Sequence, residues 1–347
     1  MRKSRKKILV FMIMPIMVIT LGGCGMMKET SNENKDSSAN KSEKIVHYLA
    51  MTDMIGGIRV VDLDAEDITS KDAIVWEWTP SKEKGWSVPQ DRLKLSIDDV
   101  KLRWSEYYQR EVVIMTASNS WAGIADYNTG ECLWENEEVP YMPHAIEMLP
   151  NGDVVIAGSG GTDYMTAGCL MYYNITAGTE CTQTDLQLLS SAHGLVWDPD
   201  ENVLWAVGWD HLAAYEASDE KLTRIEDKGC RLLHNNGHDL SADYYDPDQL
   251  LMSTGDRVYK FSKSENKLLI EYNFSDVLLN NVDTKGVTTF EDGTVAYCTA
   301  TKVKASYDTD ILNVIRLDEE RGVGVQTSYR FQDFSTYKVR NFSAKYQ

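Results

Sequence analysis

An all-β fold, a six-bladed β-propeller, is what this 347-residue chain predicts, and three observations predict it. Four segments begin alike: His144 to Gly152, His193 to Asp200, His238 to Asp248 and Lys285 to Gly293. Their first residues are 49, 45 and 47 positions apart, and a period in the forties with a strand-rich interior marks one four-stranded blade per repeat. Turn residues recur in step: Asn151-Gly152, Asp198-Pro199-Asp200, Asp246-Pro247-Asp248 and Asp292-Gly293, each a type that reverses a chain cheaply.

The strands within a repeat follow from the same register. In the unit opening at His144, an inner strand (145–149) meets the Pro-Asn-Gly turn. Strands at 153–157 and 169–174 and an outer strand near 181–186 then follow. Six units are counted, centred in 45–80, 95–140, 144–187, 193–228, 238–274 and 285–318. The first lacks an inner strand, since Ile45 to Met51 matches the second strand of the others. Tyr337 to Ser343 supplies one, so the C-terminus is expected to return and close the first blade, leaving only short protected edges. An open solenoid, or a seven-bladed ring with one degenerate repeat, is the competing reading.

Ahead of the blades, the N-terminus reads as an export signal. Arg2, Lys3, Arg5, Lys6 and Lys7 precede an apolar run from Ile8 to Leu21, of signal-peptide length and short for a membrane span. It ends in Leu21-Gly22-Gly23-Cys24, which resembles a lipobox and implies lipidation of Cys24 after cleavage before it. An uncleaved transmembrane helix is the alternative. The expected organisation is a signal (1–23), a lipidated polar tether (24–44) and a propeller (45–347), anchored through Cys24 on the extracytoplasmic side of the membrane.

Charge narrows the partners. Loss of the five signal cations takes the net charge from −18 to −23, which disfavours nucleic acid and adhesion to anionic lipid. Besides Cys24 there are Cys132, Cys169, Cys181, Cys230 and Cys298, an odd set without a CxxC pair, so buried free thiols are expected rather than a disulfide framework or a zinc site. A bridge between Cys169 and Cys181 remains open.

Against that acidic background the repeat places a basic residue at one position per blade. His144, His193, His238 and Lys285 start inner strands and should gather at one mouth of the channel. The second blade contributes Lys101 or Arg103, and the closing strand Lys338 or Arg340. Asp53 lies at a turn that could border the same opening. Such a ring suits a small anionic ligand, with histidine available as acid or base. Three histidines on consecutive blades could instead meet a metal, although nearby lysines disfavour it, and inter-blade hydrogen bonding of purely structural kind is the bland alternative. No cofactor is expected. Trp86, Trp121 and Trp209 sit at loops or strand ends, where stacking on a sugar competes with packing. No P-loop, dinucleotide fingerprint, HExxH or GxSxG occurs.

Together the lipobox, Met51-Thr52-Asp53, Pro143 to Gly152, His193 to Asp198, His238-Asp239-Leu240 and Tyr337-Lys338-Val339-Arg340 resemble a family of bacterial secreted or lipoprotein six-bladed propellers. That family has no established biochemical function. The segment 143–152 is also similar to a blade of arylsulfotransferases, whose other hallmarks are not evident. The resemblance implies a fold and leaves the activity open. The expectation is therefore a monomeric surface propeller binding a small anion such as an acidic sugar, with a lyase or hydrolase, or a protein-docking scaffold, as alternatives.

Overall fold

The computed structural model describes residues 45–160, 167–269, 283–318 and 323–345. The signal, Cys24 and the tether lie outside them. Lys44–Gln347 form one compact unit, and no described helix is long and apolar enough to cross a membrane.

Six four-stranded antiparallel sheets are present among the described residues. The first blade holds β1 (Tyr48–Asp53), β2 (Gly57–Asp62) and β3 (Ile74–Trp78). The second runs β4 (Ile97–Ser105), β5 (Arg110–Ala117), β6 (Trp121–Asp126) and β7 (Cys132–Asn136). The third is β8 (Pro143–Met148), β9 (Val154–Gly158), β10 (Cys169–Tyr173) and β11 (Gln183–Leu188). In the fourth lie β12 (Gly194–Asp198), β13 (Val203–Val207), β14 (His211–Ser218) and β15 (Lys221–Arg231). The fifth comprises β16 (Asp239–Ala242), β17 (Gln249–Ser253), β18 (Val258–Ser262) and β19 (Lys267–Leu269). The sixth has β20 (Thr284–Thr289), β21 (Val295–Thr299), β22 (Ile311–Asp318) and β23 (Val323–Arg330).

The last strand, β24 (Thr336–Asn341), pairs with β1 and completes the first blade from inside, with Leu49 opposite Asn341 and Met51 opposite Val339. The predicted closure is therefore present. A polar clasp reinforces it. His47 contacts Asp64 at 2.9 Å and Asp292 at 3.0 Å, joining the first blade to the sixth.

The apolar core is divided into six clusters, one between each pair of neighbouring blades. This division follows from strand alternation, because each blade buries both faces against its neighbours. Between the first two blades Trp78, Trp86 and Trp121 meet with ring centroids 5.1, 5.8 and 6.0 Å apart. Trp86 and Trp121 are 2% and 0% exposed, so neither offers a face to a sugar. The five described cysteines are free thiols, Cys169 and Cys181 included.

Candidate functional site

The inner strands β4, β8, β12, β16, β20 and β24 surround the channel and start at the same mouth. In β4, β8 and β20 the register shifts at one equivalent residue, Asp98, His144 or Lys285. Such a bulge re-aims a side chain. The β24 register shifts at the same level, beside Tyr337. The mouth is consequently lined by Asp98, His144, His193, His238, Lys285 and Tyr337. Where the sequence suggested Lys101 or Arg103, the residue is Asp98; where it suggested Lys338 or Arg340, it is Tyr337. Bulges and the nine-residue length of β4 displace these blades from the linear repeat. Close packing also marks the level beneath: at Gly286 a Cβ would fall 2.6 Å from the Val339 nitrogen.

The three imidazoles form a chain. His144 and His193 stack with centroids 4.3 Å apart at 12°, and His193 meets His238 edge-on at 5.1 Å. Tyr337 lies beside both ends of that chain, 6.3 Å from His144 and 6.5 Å from His238. His193 donates its Nδ1–H to the Ser191 carbonyl at 2.8 Å. His144 Nδ1 pairs with Asp98 at 2.9 Å. These bonds leave the Nε2 atoms of His144 and His193 with no hydrogen bond to protein among the described residues. The ammonium of Lys285 donates to His238 Nε2 at 2.6 Å, and the remaining His238 Nδ1 is buried without a partner.

Electrostatics makes this mouth less basic than its composition. Burial, then the neighbouring His144 and His238, hold His193 well below the ordinary histidine range. Burial, then Lys285 and Lys338, do the same to His238. Burial also lowers the Lys285 ammonium and drives the Tyr337 phenol upward. His193 and His238 therefore stand at the mouth as neutral imidazoles at neutral pH.

The remaining predicted cations lie deeper, in a buried network. Arg340 grips Asp239 through two hydrogen bonds of 2.7 and 2.6 Å and meets Asp99 at 2.8 Å. Arg103 binds Glu147 in the same two-point manner at 2.8 and 2.9 Å. Lys101 donates to the Ile146 and Leu195 carbonyls, and Lys338 to those of His144 and His193. With Val287 N–H bonded to Asp239, all six inner strands are tied together. Burial pushes the Asp99 carboxyl up, but Arg340, Lys101 and Lys338 outweigh it and hold it below the usual carboxylate range. Asp53 stands apart from the histidines: it pairs with Arg59 at 3.2 Å, and burial raises its carboxyl.

A metal fits poorly here. No group of three or more His, Cys, Asp or Glu among the described residues has the spacing to hold one, and Lys285 occupies the His238 lone pair a metal would need. The sequence reading missed Asp98, Asp99, Glu147, Tyr337 and Asp239. The adjacent carboxylates Asp98-Asp99 and Glu147 within the repeated motif were the available signal.

These features define a six-bladed propeller with a charged, cross-linked channel and a histidine-lined mouth. Residues 5–297 match a family model described as a family of unknown function, DUF6528, and the chain belongs to that family. No curated protein matches it. Among solved structures it is similar to a chain from the crystal structure of a nidogen/laminin complex, at 14% identity and a TM-score of 0.56. That match covers 86% of this chain and 99% of the other. Likeness at that identity carries the fold alone.

Proposed function

We propose that the chain is a lipid-anchored propeller on the extracytoplasmic side of the membrane, binding a small hydroxylated carboxylate of acidic-sugar type at the histidine mouth. One observation carries the reading. His144 and His193, whose Nε2 atoms make no hydrogen bond to protein among the described residues, stand in a chain of ring contacts that ends at the Lys285 ammonium. Imidazole nitrogens accept from hydroxyls, while an ammonium donates to a carboxylate. The anchor rests on the lipobox at Cys24.

An enzymatic variant has one specific support. The Ser191 carbonyl holds His193 in the tautomer whose Nε2 is basic, as a general base for proton abstraction beside a carboxylate requires.

A thermal-shift screen of the Lys44–Gln347 unit against uronic acids, sulfated sugars and phosphate tests the proposal. Native protein should be stabilised by a uronate, and His193→Ala and Lys285→Ala should abolish the shift. Formation of an unsaturated uronate, followed by ultraviolet absorbance, separates turnover from binding. No shift with any ligand overturns the sugar reading and leaves protein docking, the setting in which the similar nidogen/laminin chain is found.

A further inference from the structure

His144 and His193 stack 4.3 Å apart at 12°, yet different groups hold them. The partner of His144 Nδ1 is the Asp98 carboxylate at 2.9 Å; that of His193 Nδ1 is the uncharged Ser191 carbonyl at 2.8 Å. Asp98 is 3% exposed, its other oxygen accepts the Ser118 N–H, and His144 is its one ion-pair partner among the described residues. Lys338, beneath, donates to the His144 and His193 carbonyls and stands 3.5 Å from Asp239.

A proton added to the His144 ring meets a carboxylate in direct contact. One added to His193 meets only a carbonyl dipole and two neighbouring imidazoles. Burial first, with His144 and His238 after it, holds His193 well below the ordinary histidine range, so its Nε2 lone pair is open at neutral pH. One ring is suited to give a proton and its neighbour to take one, the division of roles that paired acid–base catalysis needs.

The order of groups around the mouth matches a uronate. Along such a sugar the carboxylate, the C5 hydrogen and the C4 oxygen are consecutive. Along the mouth Lys285, His193 and His144 follow in the same order, with His238 bonded to Lys285 at 2.6 Å and edge-on to His193 at 5.1 Å. An ammonium on the carboxylate stabilises the charge that builds there as the neighbouring C–H is removed. Because the two rings are stacked, they form one wall and reach a substrate from one side.

We propose that the mouth carries out syn β-elimination on a 4-linked uronate, with His193 as base, His144 as acid and Asp98 as the positioning residue behind the acid; this rests on the acidic-sugar reading of the same site. His193 Nε2 takes the C5 proton, the C4=C5 double bond forms, the C4–O4 bond breaks, and O4 leaves with the proton of His144 Nε2. No water or oxidant is consumed, and exchange with solvent resets the two rings. Same-side removal defines the substrate class. The C5 hydrogen and O4 lie on one side of the sugar ring in glucuronate and mannuronate, and on opposite sides in galacturonate and guluronate.

The test uses the full-length chain in detergent, given 4-linked polymers of each of these four uronates and followed by the ultraviolet absorbance of the unsaturated product. Product should form from the glucuronate and mannuronate polymers only. Asp98→Asn should keep the uronate thermal shift and the KM while kcat falls about hundredfold or more. A nitrophenolate at C4, which leaves without a proton, should recover most of that loss. Product chiefly from galacturonate or guluronate would overturn the same-side assignment and leave elimination itself standing. No product from any polymer, with the uronate thermal shift present, would overturn this inference and leave the binding reading intact. A native kcat in Asp98→Asn, or no recovery with the nitrophenolate, would remove the acid role of the His144 pair. The polymer comparison on the native chain decides the substrate class if the variant does not fold.

Discussion

Acidification from pH 7 to 5.5 should weaken the fold through His193 and His238. In the folded chain both are held well below the ordinary value of 6.5, by burial first and by neighbouring positive groups second. Between the depressed folded value and 6.5 the unfolded chain binds the extra protons. Stability therefore rises with pH across that window, is fully present above 6.5, and is lost as pH falls below it. Each proton contributes 1.36 kcal/mol per pH unit, so the two sites together remove about 2.5 kcal/mol between pH 7 and 5.5. His238 keeps some contact with solvent, which makes this figure a ceiling. In the unfolded chain the carboxylates, with ordinary values of 3.8 for Asp and 4.5 for Glu, stay largely ionised over that range. Urea unfolding at pH 7.0, 6.0 and 5.5 measures the slope, and the double variant His193→Gln with His238→Gln should flatten it. Equal stability at pH 7.0 and 5.5, or an unchanged slope in the double variant, would refute the assignment of neutral buried histidines.

Three more outcomes follow from the packing. Glu147 is fully buried and takes both arms of Arg103, so Glu147→Ala strands a guanidinium and should cost about 3–5 kcal/mol in denaturant unfolding. Truncation after Ser335 removes β24 and the pairing that closes the ring. The shortened chain should lose its cooperative melt and become sensitive to protease, and a peptide spanning 336–347 should restore both in part. Burial pushes the thiols of Cys169 and Cys298 up to about 12. At pH 8 these two should resist alkylation in the native chain and react in urea, as read by mass spectrometry of the labelled peptides.

Much of this molecule was legible before any coordinate. The spacing of His144, His193, His238 and Lys285 set the blade period and the register of four inner strands, because a propeller repeats one hydrogen-bonded unit and its turn chemistry repeats with it; closure at six rather than seven blades was decided by the structure. The orphaned second strand at Ile45 to Met51 required a partner, and Tyr337 to Ser343 had the right character. Those are local signals, carried by strand period and turn residues. The gathering of three histidines and Lys285 at one mouth followed from the same register.

What lay beyond the sequence was the state of those groups. A linear alignment counts residues, whereas a bulge consumes one without advancing the ladder, so Asp98 and Tyr337 took positions that had been assigned to cations. Whether Lys101, Arg103, Lys338 and Arg340 were free to hold a ligand depended on Asp99, Glu147 and Asp239. These carboxylates sit within about fifty residues of some of their partners and more than a hundred from others. Only closure of the ring brings Arg340 onto Asp239, 101 positions away. Charge compensation and desolvation are properties of the assembled channel. They turned an expected ring of six basic residues into a cross-linked plug below a mouth lined by three imidazoles.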